Sequence, residues 1–414
     1  MGKRMKVLIG VILIGVMCLL FWKNYGGGGI EGGSAVLAAG NPSAEAEPRS
    51  PASAGNKADS RTGTGAAFAG AGQAPSQNRP RDSRANAAHS LRQAFELLQQ
   101  EPLSQLKQLD PKSAEFRQKI RELMTTPEFQ QWQSLVKEAI AAGNCDWEID
   151  YSQGFTTPLP HLGGLRMTSR ILNALGALQA ESGLAGQQVF SDNMKLITLA
   201  CSDNQTLIGN LVRSALFKEC ENELSAAVNS IGKTDDAEAL RNQLQVHLHD
   251  SSTDLQESFA SEFALFPKML DKLQSGSFDQ QLIGAGSLAS LVGDPVRTAI
   301  VKAEYTEATR TFQNALESAN NWQERLLAAE QLQKAVDKLS PESRMLLEAL
   351  PPIVNKMVDA EVHTQAALAS LQIEQFRRQN GRFPENLVEA GVAIEDPIIA
   401  ARLDYKDGKV EVKK

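Results

Sequence analysis

Five histidines and four scattered cysteines in 414 residues leave this chain without a ready zinc site or disulfide framework. Also missing are the His-Glu-x-x-His zinc motif, the Gly-x-Ser-x-Gly nucleophile turn and the Gly-x4-Gly-Lys-Ser/Thr phosphate loop. No motif calls for a metal or a cofactor, and no catalytic residue is assigned. An excess of positive charge is lacking too, the formal net charge being -7. Residues 1 to 23 carry +4 and residues 24 to 88 carry +1, so residues 89 to 414 hold -12. An acidic body repels phosphate backbones, which excludes nucleic-acid binding as the main activity.

What is present begins with an anchor. Val7 to Trp22 is an uncharged apolar run, preceded by Lys3, Arg4 and Lys6 and closed by Lys23. At about 1.5 Å per residue it reaches roughly 24 Å, and lysine snorkelling with Trp22 and Tyr25 supplies the rest of a hydrocarbon core of about 30 Å. The nearest small-residue cleavage signal, Val36-Leu37-Ala38, lies well beyond the run, so an uncleaved signal anchor is expected rather than a removed leader. Met17 before Cys18 argues against a lipoprotein site. Positive charge ahead of the span places the N-terminus in the cytoplasm and the bulk outside it, in a bacterial inner membrane. Residues 24 to 88 contain 40 Gly, Ala, Ser or Pro out of 65 and show no hydrophobic period, which predicts a disordered tether. The layout expected is a cytoplasmic tip and anchor over 1-23, a linker over 24-88, a helical extracytoplasmic domain over 89-380 and a C-terminal segment over 381-414.

From about Ala88 the pattern becomes helical. Phe190, Met194, Ile197 and Cys201 fall on one face, as do Leu216, Cys220, Leu224, Ala227 and Ile231. Trp322 to Leu339 and Ile353 to Leu371 carry two further stripes. Breakers, among them Pro102, Pro111, Pro127, Gly183 to Gly186, Pro267, Pro341 and Pro351-Pro352, divide the run. The fold class expected is all-α, an irregular bundle or stack of antiparallel helical hairpins with a small C-terminal β-hairpin, behind the N-terminal transmembrane helix. No period of about 34 residues supports a repeat array.

The most unusual loop is Asp146-Trp147-Glu148-Ile149-Asp150 followed by Pro158-Leu159-Pro160-His161. Asp146, Glu148, Asp150 and His161 could form an acid/base cleft. The structural alternative, which is favoured, has His161 satisfy a helix end while Trp147 covers apolar surface. His247-Leu248-His249-Asp250 is read as a polar helix end, because residues two apart on a helix point to different faces. Of Cys145, Cys201 and Cys220, which cannot all pair within one chain, the last two lie on apolar helical faces and are expected as buried thiols, with Cys201 to Cys220 the first candidate if any bridge forms.

The stretch Leu371 to Leu387 contains Phe376, Gly381, Phe383, Pro384 and Leu387 in the order aromatic-x4-Gly-x-aromatic-Pro-x-x-Leu. It resembles a segment of type II secretion pseudopilins, and Asp396-Pro397 and Asp404-Tyr405 follow in similar order. The residues explain themselves as well. Gly381 ends a long helix at positive φ, Pro384 starts a short one, and Asp407-Gly408 turns a hairpin between Leu403-Asp404-Tyr405 and Val410-Glu411-Val412. Phe376, Phe383 and Leu387 close the corner hydrophobically. The chain departs from pseudopilins in lacking their processing site and the Glu near the start of their apolar helix. As a whole it looks like a group of bacterial single-pass envelope proteins that end in this pilin-like segment. That resemblance implies location and architecture, and no reaction.

The function expected is therefore a membrane-anchored extracytoplasmic interaction or scaffold protein with an envelope protein partner, associated with a secretion or pilus-like assembly. The alternatives are an envelope hydrolase of glycan or peptide using the Asp146 to His161 loop, and a binder of an apolar ligand between helices, near Phe190, Met194 and Leu216.

Overall fold

The structure, a computed structural model, describes residues 86–150, 159–183, 186–202, 206–228, 234–275 and 291–413. The expected anchor, and the linker up to residue 85, lie outside these. Among the described residues no helix is long and apolar enough to cross a membrane. The described chain is mostly helical and ends in a two-stranded antiparallel hairpin.

Local chemistry sets most of the helix starts. Helix α1 (Ala87–Leu97) begins where the Asn86 side chain accepts from the Ala88 N–H, two residues ahead of the expected domain start. Ser113 caps α2 (Ala114–Leu123), and Thr126 caps α3 (Pro127–Ala142) with proline in its first turn. Each cap satisfies an N–H that has no partner inside the helix, and proline there removes none that is needed. Helices α4 (His161–Glu181) and α5 (Gly186–Ala200) fold back on each other around Gly183. Their backbones approach so closely at Gly186 that a Cβ would lie 2.4 Å from the Gly176 carbonyl oxygen. After these come α6 (Leu207–Ala227), capped by Thr206, and the long α7 (Thr234–Gln274). Helix α8 (Pro295–Ser318) starts at Asp294, α9 (Trp322–Val336) at Asn321 and α10 (Pro341–Leu347) at Ser340. Helix α11 (Leu350–Asn380) leads to α12 (Pro397–Arg402), β1 (Leu403–Lys406) and β2 (Lys409–Val412).

Two of the expected boundaries are overturned. Pro267 does not break the chain: α7 runs through it. Phe263, Phe266 and Leu270 around it are all buried, and packing of such a face outweighs the roughly 3 kcal/mol that an interior proline costs. Pro384 starts no helix, and residues 385 to 391 form turns. There the Glu389 carboxylate takes the Glu385 N–H and pairs with Arg382, which holds the segment in a compact turn. The short helix begins instead at Pro397, where Asp396 accepts from the N–H groups of Ile398 and Ile399.

The core falls into two apolar clusters. The first gathers α1 to α6, Leu240 and Leu244 of α7, and Ala367 to Leu371 of α11. The second gathers Leu255 to Leu270 of α7, helices α8 to α10, Leu350 to Ala366 of α11, and Ile399 and Leu403. Helices α7 and α11 thus run antiparallel through both clusters. The four apolar stripes read from the sequence are buried here wherever they are described, apart from a few partly covered members such as Leu326 and Ile353.

Candidate functional site

Of the Asp146 to His161 loop, residues 151–158 lie outside the described residues, and Asp146, Glu148, Asp150 and His161 each have an identifiable position. Gly143, at φ 71°, ends α3, and the Asn144 carbonyl then accepts from the Ala87 N–H. The Asn86 amide holds Asp146 at both ends, donating to its carbonyl at 2.8 Å and accepting from its N–H at 3.0 Å. Asp146 Oδ1 accepts from the Glu148 N–H, where the backbone stands at φ 56°. Arg92 donates to the Trp147 carbonyl, and Trp147 Nε1 donates to the Ala200 carbonyl at the end of α5, both at 2.8 Å. Phe95, Trp147 and His161 stack in that order with ring separations of 6.0 and 4.4 Å. Phe95 reaches its place because residue 164 is glycine; a Cβ there would lie 2.3 Å from the ring. Asp146, Glu148 and Asp150 face solvent, whereas His161 is buried at the first turn of α4. The described part, through Asp146, Trp147 and His161, is a strap that binds α1, α4 and α5 together.

A buried polar seam between α6, α7 and α11 was not anticipated. Asn210, Ser214, Phe217 and Glu221 recur at i, i+4, i+7 and i+11, a second stripe on α6 beside the apolar one. That polar stripe was the available signal. The Glu221 carboxyl is 1% exposed and accepts from Thr364 Oγ1 at 2.5 Å. Burial, with Glu361 nearby, pushes its pKa up to about 8. His247 is no polar helix end: it lies within α7, buried and stacked on Phe217 with ring centres 3.7 Å apart. Burial and the neighbouring Arg213 hold it neutral, with a pKa of about 3. The reading as a helix end failed because α7 continues past it. The Ser214 hydroxyl donates to the Met357 sulfur at 3.3 Å. The cavity bordered by Ser214, His247, Met357, Glu361 and Thr364 leaves about 10 Å³ for the centre of a water molecule, room for about one water.

Two further polar contacts adjoin the seam. Asn210 donates to the Ser258 hydroxyl, and Glu262 accepts from the Leu207 N–H at the start of α6. Burial raises the Glu262 pKa to about 7. On the other side of α6, Asn193 donates to Asn173 at 2.7 Å and to the Ser169 hydroxyl at 3.1 Å. Cys220, fully buried beside them, has its thiol pushed far up by burial, which removes its nucleophilicity. Cys145, Cys201 and Cys220 are all buried thiols, not a Cys201 to Cys220 bridge. Phe190, Met194 and Leu216 are packed without exposure, with the Phe190 ring against Gly176.

The C-terminal motif is partly outside the core. Gly381, at φ 69°, ends α11 and donates to the Arg377 carbonyl at 2.8 Å. Arg377 lies over the Phe383 ring at 5.6 Å, and Arg382 over the Phe376 ring at 5.3 Å. Pro384 is buried, Leu387 is half-buried, and the Tyr405 hydroxyl donates to the Pro384 carbonyl at 2.7 Å. Phe383 is 45% exposed, with one edge of its ring against Gly408, so it is a bracket for the hairpin turn more than a core residue. Val388 is 81% exposed. Asp396 also accepts from the Trp322 N–H, and Arg402 pairs with Asp359, which ties this segment to α9 and α11.

Comparison with protein-family models, with curated proteins and with solved structures finds no match for this chain. The likeness to pseudopilins therefore rests on the motif residues alone.

Proposed function

We propose that this chain is a membrane-anchored extracytoplasmic scaffold or interaction protein. In this reading residues 1-23 anchor it in a bacterial inner membrane and the linker lets the body reach an envelope partner. The body is an irregular bundle of helical hairpins, and the pilin-like segment faces a secretion or pilus-like assembly. The observation that carries the reading is a contrast between interior and surface. The buried His247, with Ser214 and Thr364, borders space for about one water, far too little for a glycan or peptide. By contrast, Val388 and Phe383 stand in solvent on a segment fastened to the body by Asp396 and Arg402 and braced within itself by Tyr405. Exposed apolar side chains held on an ordered segment suit recognition of another protein.

The test is co-purification from membranes of the native chain and of Val388→Asp. A partner recovered with the native chain and lost with the variant, at an unchanged melting temperature, is the expected result. Recovery of the same proteins with both, or of none with the native chain, overturns the reading.

A further inference from the structure

The β-hairpin sets like charges opposite each other, and among the described residues only Lys413, 4.0 Å from Asp404, offers one of them an opposite charge. Its register sets Asp404 opposite Glu411 and Lys406 opposite Lys409, all four exposed. Like charges directly opposed across strands destabilise a hairpin. The apolar face, with Leu403, Val410 and Val412, is turned to the body.

The direction of the backbone groups follows from one hydrogen bond. The Lys413 N–H donates to the Arg402 carbonyl at 2.8 Å. Bonded and non-bonded pairs alternate along an antiparallel ladder, so Arg402, Asp404 and Lys406 direct their backbone groups at β2. Tyr405 directs its N–H and C=O the other way. Strand β2 lies against α11, whereas the main neighbours of β1 are β2 and the preceding α12. The Tyr405 backbone groups therefore lie on the outer edge of the hairpin.

We infer that this edge pairs with the same edge of a second copy of the chain, antiparallel and centred on Tyr405. Read backwards, Asp404-Tyr405-Lys406 has its charges inverted. Centring on Tyr405 sets Asp404 opposite Lys406 of the second copy, twice, and lets the two Tyr405 residues exchange both backbone hydrogen bonds. Across the resulting four strands the charges run acid, acid, base, base, so each like-charge pair gains an opposite neighbour. Centring one residue away opposes like charges, and centring between two residues directs the wrong backbone groups at the partner. The inference goes beyond the proposed interaction role and stands without it.

The experiment uses the full chain in detergent, with equal parts of unlabelled and 15N-labelled protein treated with a carbodiimide, which couples a carboxylate only to an amine in contact. Mass spectrometry should find Asp404 joined to Lys406 in mixed light-heavy pairs. In sedimentation, Asp404→Lys and Lys406→Asp should each weaken self-association at least tenfold, and the double exchange D404K/K406D should restore it. All these positions are exposed and each exchange replaces a like-charge pair across the hairpin by an opposite one, so melting temperatures should not fall. Coupling confined to single isotopic chains, single exchanges without effect, or a chain that stays monomeric would overturn the inference. A monomeric chain that still retains an envelope partner refutes self-pairing and leaves the interaction role intact.

Discussion

Replacing Glu221 by Gln should stabilise the protein, and by an amount that grows with pH. The Glu221 carboxyl is buried between α6 and α11, with the Thr364 hydroxyl as its donor. Its pKa is about 8 in the folded chain against 4.5 for the ordinary side chain. The folded state therefore holds a proton that the unfolded state has lost, and stability falls as pH rises from 4.5 to 8. At about 1.4 kcal/mol per pKa unit, the loss is about 3 kcal/mol at pH 7 and about 5 kcal/mol above pH 8. Gln has nearly the same shape, can still accept from Thr364, and has no proton to lose. E221Q should match the native chain near pH 4 and exceed it by about 3 kcal/mol at pH 7, roughly 4 °C for a body of some 300 residues. Glu262 adds a slope of the same sign in both proteins, so the difference between them isolates Glu221. Urea titrations at pH 4, 5.5, 7 and 8.5 measure it. Parallel stability-pH curves for the two proteins would refute the claim that an ionisable carboxyl is held protonated in the seam.

His247 has the opposite sign: its folded pKa of about 3 lies below the ordinary 6.5, so stability present above pH 6.5 is lost as pH falls toward 3. His247→Gln should flatten that acid-side loss in the same titrations, and an unchanged acid limb would count against burial of a neutral ring. Gly164→Ala forces a Cβ into the Phe95 ring and should cost about 1–3 kcal/mol by thermal melting, whereas Gly143→Ala, with open space but φ 71°, should cost about 1 kcal/mol. A neutral result at Gly164 would show that the strap of Phe95, Trp147 and His161 is loosely packed. Phe383→Ala, at a half-open site, should cost clearly less than the 3–5 kcal/mol characteristic of a buried aromatic, while Phe190→Ala should show about that full loss. Equal losses at both positions would mean that Phe383 is buried in solution.

What was legible in the sequence is what depends on neighbours in the chain. Asp407-Gly408 turns the hairpin because both residues sit at positive φ, and the strands pair as the flanking alternation requires. Gly381 ends α11 for the same local reason, and Pro127 and Pro341 begin helices because the first turn has no use for their missing N–H groups. The apolar stripes were readable because helical spacing puts their members on one face wherever the helix ends up packing. Tertiary structure decided the rest. Whether a proline breaks a helix depends on what its flanks bury, so Pro267 stays inside α7 while Pro341 starts a new helix. His247, Glu221 and Glu262 resemble solvated helix surface in the chain, and only the approach of α6, α7 and α11 removes water from them and shifts their proton affinities. Phe383 looks like a core aromatic, yet the hairpin meets one edge of its ring and leaves the other in water. Caps, turns and stripes act over a few residues and are encoded there, whereas burial is set by residues distant in the chain that only the fold brings into contact.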